Sequence, residues 1–406
     1  MPRLLLLLPQ LPHDPASGAA RSMRAVAQAL ARAGWSVRVL ATTAVESPVP
    51  LDAAKHLANS GVSVSVRAPN LRIYRHDRPV LEFSEAGPIV GQLLDTGAHD
   101  LTRWPAAHGA QFNRLFQREL AAHRPDVVFT YGGAADDLGR CQRARAAGCA
   151  VVFGLHNLGY RTPGWERDLA GVIVPSRFLA ETYQRELGLA TTVLPPLLDQ
   201  AETIATDRQP IFLTAVNPSA EKGACFLARL AEEFSLQRPE QPMLFVESRG
   251  TAGCLVQAGL AGGFDLRRHA GLMFAPAVAQ PRDFFRGTRV LLAPSVVEEA
   301  FGRVVAEALL NGVPPLVSDR GALPEAANGG GFVLPLPAAL TSRTRAAVSA
   351  EEVQPWLDVL LRLVDDDTFY TAAAARARRA GEAFRASEIA PRYLRYFESL
   401  LAPTKR

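Results

Sequence analysis

Ser295-Val-Val-Glu-Glu-Ala-Phe-Gly-Arg-Val-Val-Ala-Glu307 decides how this chain is read. Two carboxylates, Glu299 and Glu307, stand eight positions apart with Phe301-Gly302 between them. An apolar run, Val290–Pro294, leads in with strand character. Val304, Val305, Ala308 and Leu309 recur at helical spacing, and Asn311-Gly312 is a helix stop. The pattern predicts a strand, a turn carrying Glu299 and a helix carrying Glu307. In an open α/β sheet such a turn and helix start border a pocket at the C-terminal edge of the strands, where ligands bind.

The same alternation extends outward. Leu4–Leu8 reads as a strand, Gly18 falls in the turn after it, Arg21–Ala33 has an amphipathic helix pattern and Trp35–Ala41 is the next strand. Further strands are expected at Val62–Val66, Val127–Thr130, Val151–Leu155 and Gly171–Val174, with a helix at Arg140–Ala147. Residues 76–118 are less regular. Pro195-Pro196 and the polar residues that follow to Gln209 mark a linker. A second α/β series then runs through strands at Ile211–Ala215, Met243–Glu247, Leu272–Phe274, Val290–Ala293 and Pro315–Val317, with a helix over Lys222–Glu233. The terminal segment Ser387–Leu401 sets Tyr393, Phe397 and Leu401 on one helical face.

Composition bounds the function. A chain of 406 residues, 48% hydrophobic and 21% charged, is globular and long enough for two domains. The net charge of +4 is spread without a basic run, which argues against nucleic acid as a partner and leaves room for an anionic substrate or peripheral contact with an acidic membrane face. Lysine occurs only at Lys55, Lys222 and Lys405 in an arginine-rich chain. A lysine kept inside such a chain is a candidate for work that needs a compact ammonium. Cys141, Cys149, Cys225 and Cys254 lack C-x-x-C spacing and read as buried small residues in a reducing compartment, not as a metal site. The leucine run near Met1 is too short for a signal peptide and reads as a buried strand. No stretch is long enough to span a membrane, so the expectation is a cytoplasmic protein.

The Glu299–Glu307 stretch resembles the E-x7-E motif of retaining GT-B glycosyltransferases, in particular family four (glycosyl transferases group 1). The resemblance covers nearly the whole chain and is strongest over 210–335. It implies a GT-B fold: two Rossmann-like doubly wound α/β domains facing across a cleft, with a C-terminal helix returning to the first domain. The implied domains are an acceptor-side domain over 1–198, a nucleotide-sugar-binding domain over 199–385 and the returning helix over 386–406. Carried over by position, Glu299 grips the donor sugar, Ala300, Phe301 and Gly302 lend backbone donors, and Glu307 takes the ribose. The residue types suit this, because a carboxylate accepts two hydroxyl hydrogens in charge-assisted bonds.

The leaving diphosphate needs fixed positive charge or N–H groups aimed at it. In the resembling family the loop after the first strand of the second domain holds an Arg and a Lys five apart, followed by Gly. Here Lys222-Gly223 match and Asn217 occupies the Arg position. Either an Asn-Pro form of the loop serves, or Arg249 enters from the next strand. The turn Pro12–Ala19 resembles the family's glycine-rich loop with Gly18 alone of its usual two glycines. It lacks G-x-G-x-x-G, which counts against a nicotinamide dehydrogenase. His156, at the end of the Val151–Leu155 strand, matches a histidine that reaches the reacting sugar. His13 lies in the first loop within reach of an acceptor, and residues 76–118 are read as an acceptor-binding helix and loop. Val174-Pro-Ser176 ends a strand and sets Ser176 as a helix N-cap. Ser318–Glu325 resembles the family's G-x-P-E element, with one residue added between Gly321 and Pro324, and reads first as a turn and helix cap.

The catalytic set so implied is His156, Lys222 and Glu299. No metal or cofactor is expected; the donor is a nucleotide-diphosphate sugar, and the acceptor hydroxyl is not specified by these motifs. The implied activity is a retaining glycosyltransferase, with a hexose as the moving group. Two rival readings share the features: a nucleotide-sugar 2-epimerase of related fold, and a non-catalytic nucleotide-sugar-binding protein.

Overall fold

The computed structural model describes residues 1–46, 51–70, 76–85, 89–97, 106–344 and 347–401. The chain divides into two compact units. One comprises Met1–Pro175, Ala180–Leu197 and Ile389–Arg406, the other Ser176–Leu179 and Leu198–Glu388.

The first unit is built on a nine-stranded sheet. Its strands are β1 (Arg3–Leu7), β2 (Ser36–Thr42), β3 (Ser63–Arg67), β4 (Val80–Glu85), β5 (Ile89–Leu94), β6 (Val127–Thr130), β7 (Ala150–Gly154), β8 (Gly171–Val174) and β9 (Thr192–Val193), in the order β3-β4-β5-β2-β1-β6-β7-β8-β9. All pairings from β5 to β9 are parallel; β3–β4 and β4–β5 are antiparallel. A parallel sheet is covered on both faces, so its central strand is apolar on every residue. The leucines Leu4–Leu8 are accordingly all buried. The Gly18–Arg32 helix begins three residues earlier than expected, because Ser17 caps it by accepting from Ala20 N. Within 76–118, where the sequence looks irregular, the structure shows the antiparallel β4 and β5 and a helix over Ala106–His123. Residues 86–88 and 98–105 of that region lie outside the described residues.

The second unit has a six-stranded, wholly parallel sheet: β10 (Phe212–Val216), β11 (Met243–Val246), β12 (Leu272–Ala275), β13 (Thr288–Ala293), β14 (Pro315–Ser318) and β15 (Phe332–Leu334). Its order, β12-β11-β10-β13-β14-β15, is the doubly wound one, with the direction of progress reversing between β10 and β13. Alternate residues of one strand feed two separate cores. Val290 and Leu292 join Phe226, Phe245 and Trp356, whereas Leu291 joins Phe285, Val305 and Leu323. That is the period-two alternation of a sheet covered on both sides. The helix over Lys222–Glu233 needs correction: it spans Ala224–Gln237, because Gly223 takes φ 83° and leaves Lys222 in the turn before it.

The four cysteines are free, but only Cys141 and Cys149 are buried; Cys254 is exposed on the outer face of the Ala252–Ala261 helix. No helix among the described residues is long and apolar enough to cross a membrane.

Candidate active site

The loops after β10 and β13 meet at the switch point of the second sheet. Lys222 sits at the end of the β10 loop. That loop closes on itself through Lys222 N to Ser219 O at 3.0 Å and Ala224 N to Ser219 O at 3.1 Å. It is tied to the β13 loop by Val296 N donating to Glu221 O at 3.0 Å. A Cβ on Gly223 would overlap the Pro294 carbonyl, so the glycine permits the close approach.

Glu299 lies in the turn after β13. Lys222 Nζ bonds its Oε1, and Ser295 Oγ donates to the same oxygen at 2.5 Å. Ser318 Oγ in turn donates to the Ser295 carbonyl at 2.7 Å. The backbone of Glu299 is pinned as well. It bridges to Gly321, and Ala322 N donates to its carbonyl at 2.9 Å. Gly321 takes φ 58°, and a Cβ there would crowd the Glu299 main chain. Burial alone would raise the Glu299 carboxyl. The Lys222 charge, the bonds from Lys222 and Ser295 and the charge of Arg249 outweigh it and hold the group below its ordinary value. Glu299 is therefore an anion bonded to Lys222, and it can accept hydroxyl hydrogens.

Phe301 turns its ring into the core, 5.8 Å from Phe384 and edge-on to it. What Ala300, Phe301 and Gly302 present at the turn is backbone. Gly302, at φ 93°, starts the Arg303–Leu310 helix, and a Cβ there would press on Leu323. The helix ends in a Schellman arrangement: Gly312 N donates to Leu309 O and Val313 N to Ala308 O, both at 2.9 Å. Glu307 projects from this helix and is only 4% exposed; Arg303 Nε, one turn earlier, donates to its Oε1 at 2.8 Å.

Asn217 is not aimed at open space. Its Oδ1 accepts from Gly250 N at 2.6 Å, between the loops after β10 and β11. Arg249, next to Gly250, is exposed, and its charge reaches Glu299. The structure thus brings Lys222, Gly223, Glu299 and Arg249 together and places Glu307 on the adjoining helix.

The remaining sequence-predicted residues belong to the first unit. Gly18 is the exposed first residue of its helix. His156 lies two residues beyond the end of β7, edge-on to Tyr131 with centroids 6.2 Å apart. Its imidazole packs where a side chain on Gly154 would stand. His13 does not lie open to solvent. It is buried against Glu85, with which it forms an ion-pair contact, and against the Phe83 ring. Among the described residues no group of His, Cys, Asp and Glu has the arrangement of metal ligands.

Sequence reasoning missed Ser295 and Arg303. Arg303 had a signal, its i,i+4 spacing from Glu307. Ser295 had none, because its reach to Glu299 depends on how the turn folds.

Two Rossmann-like units with a cation–carboxylate pair at a switch point are what the GT-B glycosyltransferase class presents. Residues 48–202 match the family model Glycosyltransferase Family 4, and residues 211–366 match Glycosyl transferases group 1. The chain belongs to that glycosyltransferase family. No curated protein sequence matches it. Its fold is similar to the sucrose-phosphate synthase of Thermosynechococcus elongatus, at 18% identity and TM-score 0.68 over 99% of this chain and 100% of that one. It is also similar to Anabaena Alr3699/HepE in complex with UDP and glucose, at 16% identity and TM-score 0.66 over 98% and 99%. A glycosyltransferase from Rickettsia africae matches at 13% identity and TM-score 0.66 over 99% and 100%.

Proposed function

We propose that this glycosyltransferase moves a sugar, a hexose, from a nucleoside-diphosphate donor to a hydroxyl acceptor with retention at the anomeric carbon. The observation that carries the reading is the Lys222–Glu299 pair at the β10–β13 switch point, with the Arg249 charge beside it. Lys222 and Arg249 supply positive charge for the diphosphate as the bond from the anomeric carbon to phosphate oxygen breaks. Glu299 and the backbone N–H groups of 300–302 hold sugar hydroxyls, and Glu307 holds the ribose. The acceptor oxygen bonds to the anomeric carbon on the face the phosphate leaves, and its proton passes to the departing phosphate oxygen. The scheme assigns no step to a metal, a cofactor or an enzyme nucleophile. His156 and the Gly18 helix start are read as first-domain groups that bind sugar and phosphate.

The Anabaena structure is a complex with UDP and glucose, which makes UDP-glucose the first donor to try. A thermal-shift screen of nucleotide sugars should find one that raises the melting point. Lys222→Gln should then lower kcat by about 10²–10³. Glu307→Ala should weaken donor binding about tenfold or more while the protein stays folded. Unchanged donor affinity in Glu307→Ala removes Glu307 from the site. Isomerised sugar from donor alone, without acceptor, would favour epimerase chemistry instead.

A further inference from the structure

Asn217 stands at the start of the β10 loop with its backbone in the left-handed region, at φ 59°. Asn is among the few residues with a side chain that enter that region readily, because its short amide can bond nearby main chain. Here the bond reaches a different loop. Asn217 Oδ1 accepts from Gly250 N at 2.6 Å across 33 residues of sequence, and Asn217 is 8% exposed. Gly250 fits as tightly from its side, since a Cβ on it would overlap the backbone of Pro218 and Ser219. The two loops are thus locked at two points. The β10 loop also holds the β13 loop, through Val296 N and Glu221 O. Because β10 lies between β11 and β13 in the sheet, its loop is the one that neighbours both others.

We propose that Asn217 is a positioning residue: through the Gly250 N–H it fixes the turn that carries Arg249 and so sets the guanidinium beside the Lys222–Glu299 pair. The inference deepens the donor site proposed above and rests on that reading. A diphosphate carries charge on both phosphoryl groups, and one ammonium offsets part of it. A second cation borne on the neighbouring strand's loop is useful only if that loop keeps its register against the first. Asn217 supplies the register and touches no phosphate itself.

The test measures Arg249→Ala in three backgrounds: the wild-type chain, Asn217→Gly and Asn217→Asp. Glycine keeps the positive φ and removes the acceptor oxygen; aspartate keeps an acceptor oxygen. The readout is calorimetric affinity for a nucleoside diphosphate, with UDP, ADP and GDP as probes and the tightest one used. Arg249→Ala should cost about tenfold in the wild-type and Asn217→Asp backgrounds and less than about twofold in Asn217→Gly, as expected for residues acting as one unit. Reading the coupling within each background removes the effect of the added aspartate charge. It also leaves the Asn217→Asp pair informative if the glycine variant fails to fold, because loss of the Arg249 effect there contradicts the proposal. An equal Arg249→Ala cost in all three backgrounds overturns it. The donor site would survive that result if Lys222→Ala still weakens binding. No binding by any probe, or no effect of Lys222→Ala and Arg249→Ala alike, removes the donor reading and this inference together.

Discussion

The carboxylates of the Glu motif are held by different partners. Glu299 is shared between Lys222 and Ser295, and Glu307 is held by Arg303. Both pairs consist of groups that are largely out of water, with side-chain exposures of 26% and 15% for Lys222 and Glu299 and of 12% and 5% for Arg303 and Glu307. Removing one member of a buried pair leaves the other charge uncompensated, which costs more than the pair itself contributes. Arg303→Ala should therefore lower stability by about 3 kcal/mol at neutral pH, measured by urea unfolding. The double variant Arg303→Ala/Glu307→Gln should recover part of the loss. If Arg303→Ala unfolds like wild type, the Arg303–Glu307 contact has no structural weight. The Glu299 pair is legible only halfway from sequence. Its spacing to Glu307 and the rarity of lysine both point to it, but neither says that Lys222 and Glu299 bond each other.

Elements are joined in the first unit by a buried polar clasp. Glu85, at the end of β4, meets Arg24 and Gln28 of the Gly18–Arg32 helix at 3.0 and 2.9 Å and also His13 of the first loop. Burial would raise the Glu85 carboxyl, yet the bond from His13, the Arg24 charge and the Gln28 bond bring it from 4.5 down to about 2. Burial pushes the His13 imidazole below its ordinary value, against the opposing pull of the Glu85 carboxylate it contacts. The sign follows from linkage. A depressed carboxyl contributes stability that is complete above its unfolded value and is lost as pH falls towards its folded value, here between 4.5 and about 2. The size is about 3 kcal/mol. A lowered His13 adds a loss in the same direction, beginning as pH falls through the ordinary histidine range. Glu85→Gln should flatten the acid limb of the stability–pH curve between pH 4.5 and 3, read from urea midpoints. A limb as steep as that of wild type would rule out Glu85 as its source. The clasp could not be read from sequence, because β4, which carries Glu85, runs antiparallel to both neighbours in an otherwise parallel sheet and carries no clean alternation.

Over the chain as a whole, the last helix closes the first unit. It spans Ala386–Ser399, and the chain from Ile389 on belongs to that unit. Phe397 is fully buried, edge-on to Phe129 at 5.3 Å and to Trp35 at 6.2 Å, and Tyr393 Oη donates to the carbonyls of Leu194 and Pro195. The contacts span nearly the whole sequence. Phe397→Ala should cost about 3–5 kcal/mol, measured by denaturant unfolding, because a cavity opens among aromatic rings that cannot collapse. A cost below about 1 kcal/mol would mean that the helix is not part of the core.

Local pattern determined much of this protein. The alternation of apolar runs and amphipathic stretches is short-range, so it marked two doubly wound halves, the strand–turn–helix setting of the Glu motif and the amphipathic terminal helix. Other local signals went unread, such as the Ser349–Glu352 capping box that opens the Ala350–Asp365 helix. Tertiary structure alone decided which side chains meet. Lys222 with Glu299, Asn217 with Gly250, and Glu85 with His13 and Arg24 are pairs set by strand order and by the exact path of the loops. Those depend on contacts between residues far apart in sequence, and no local periodicity encodes them.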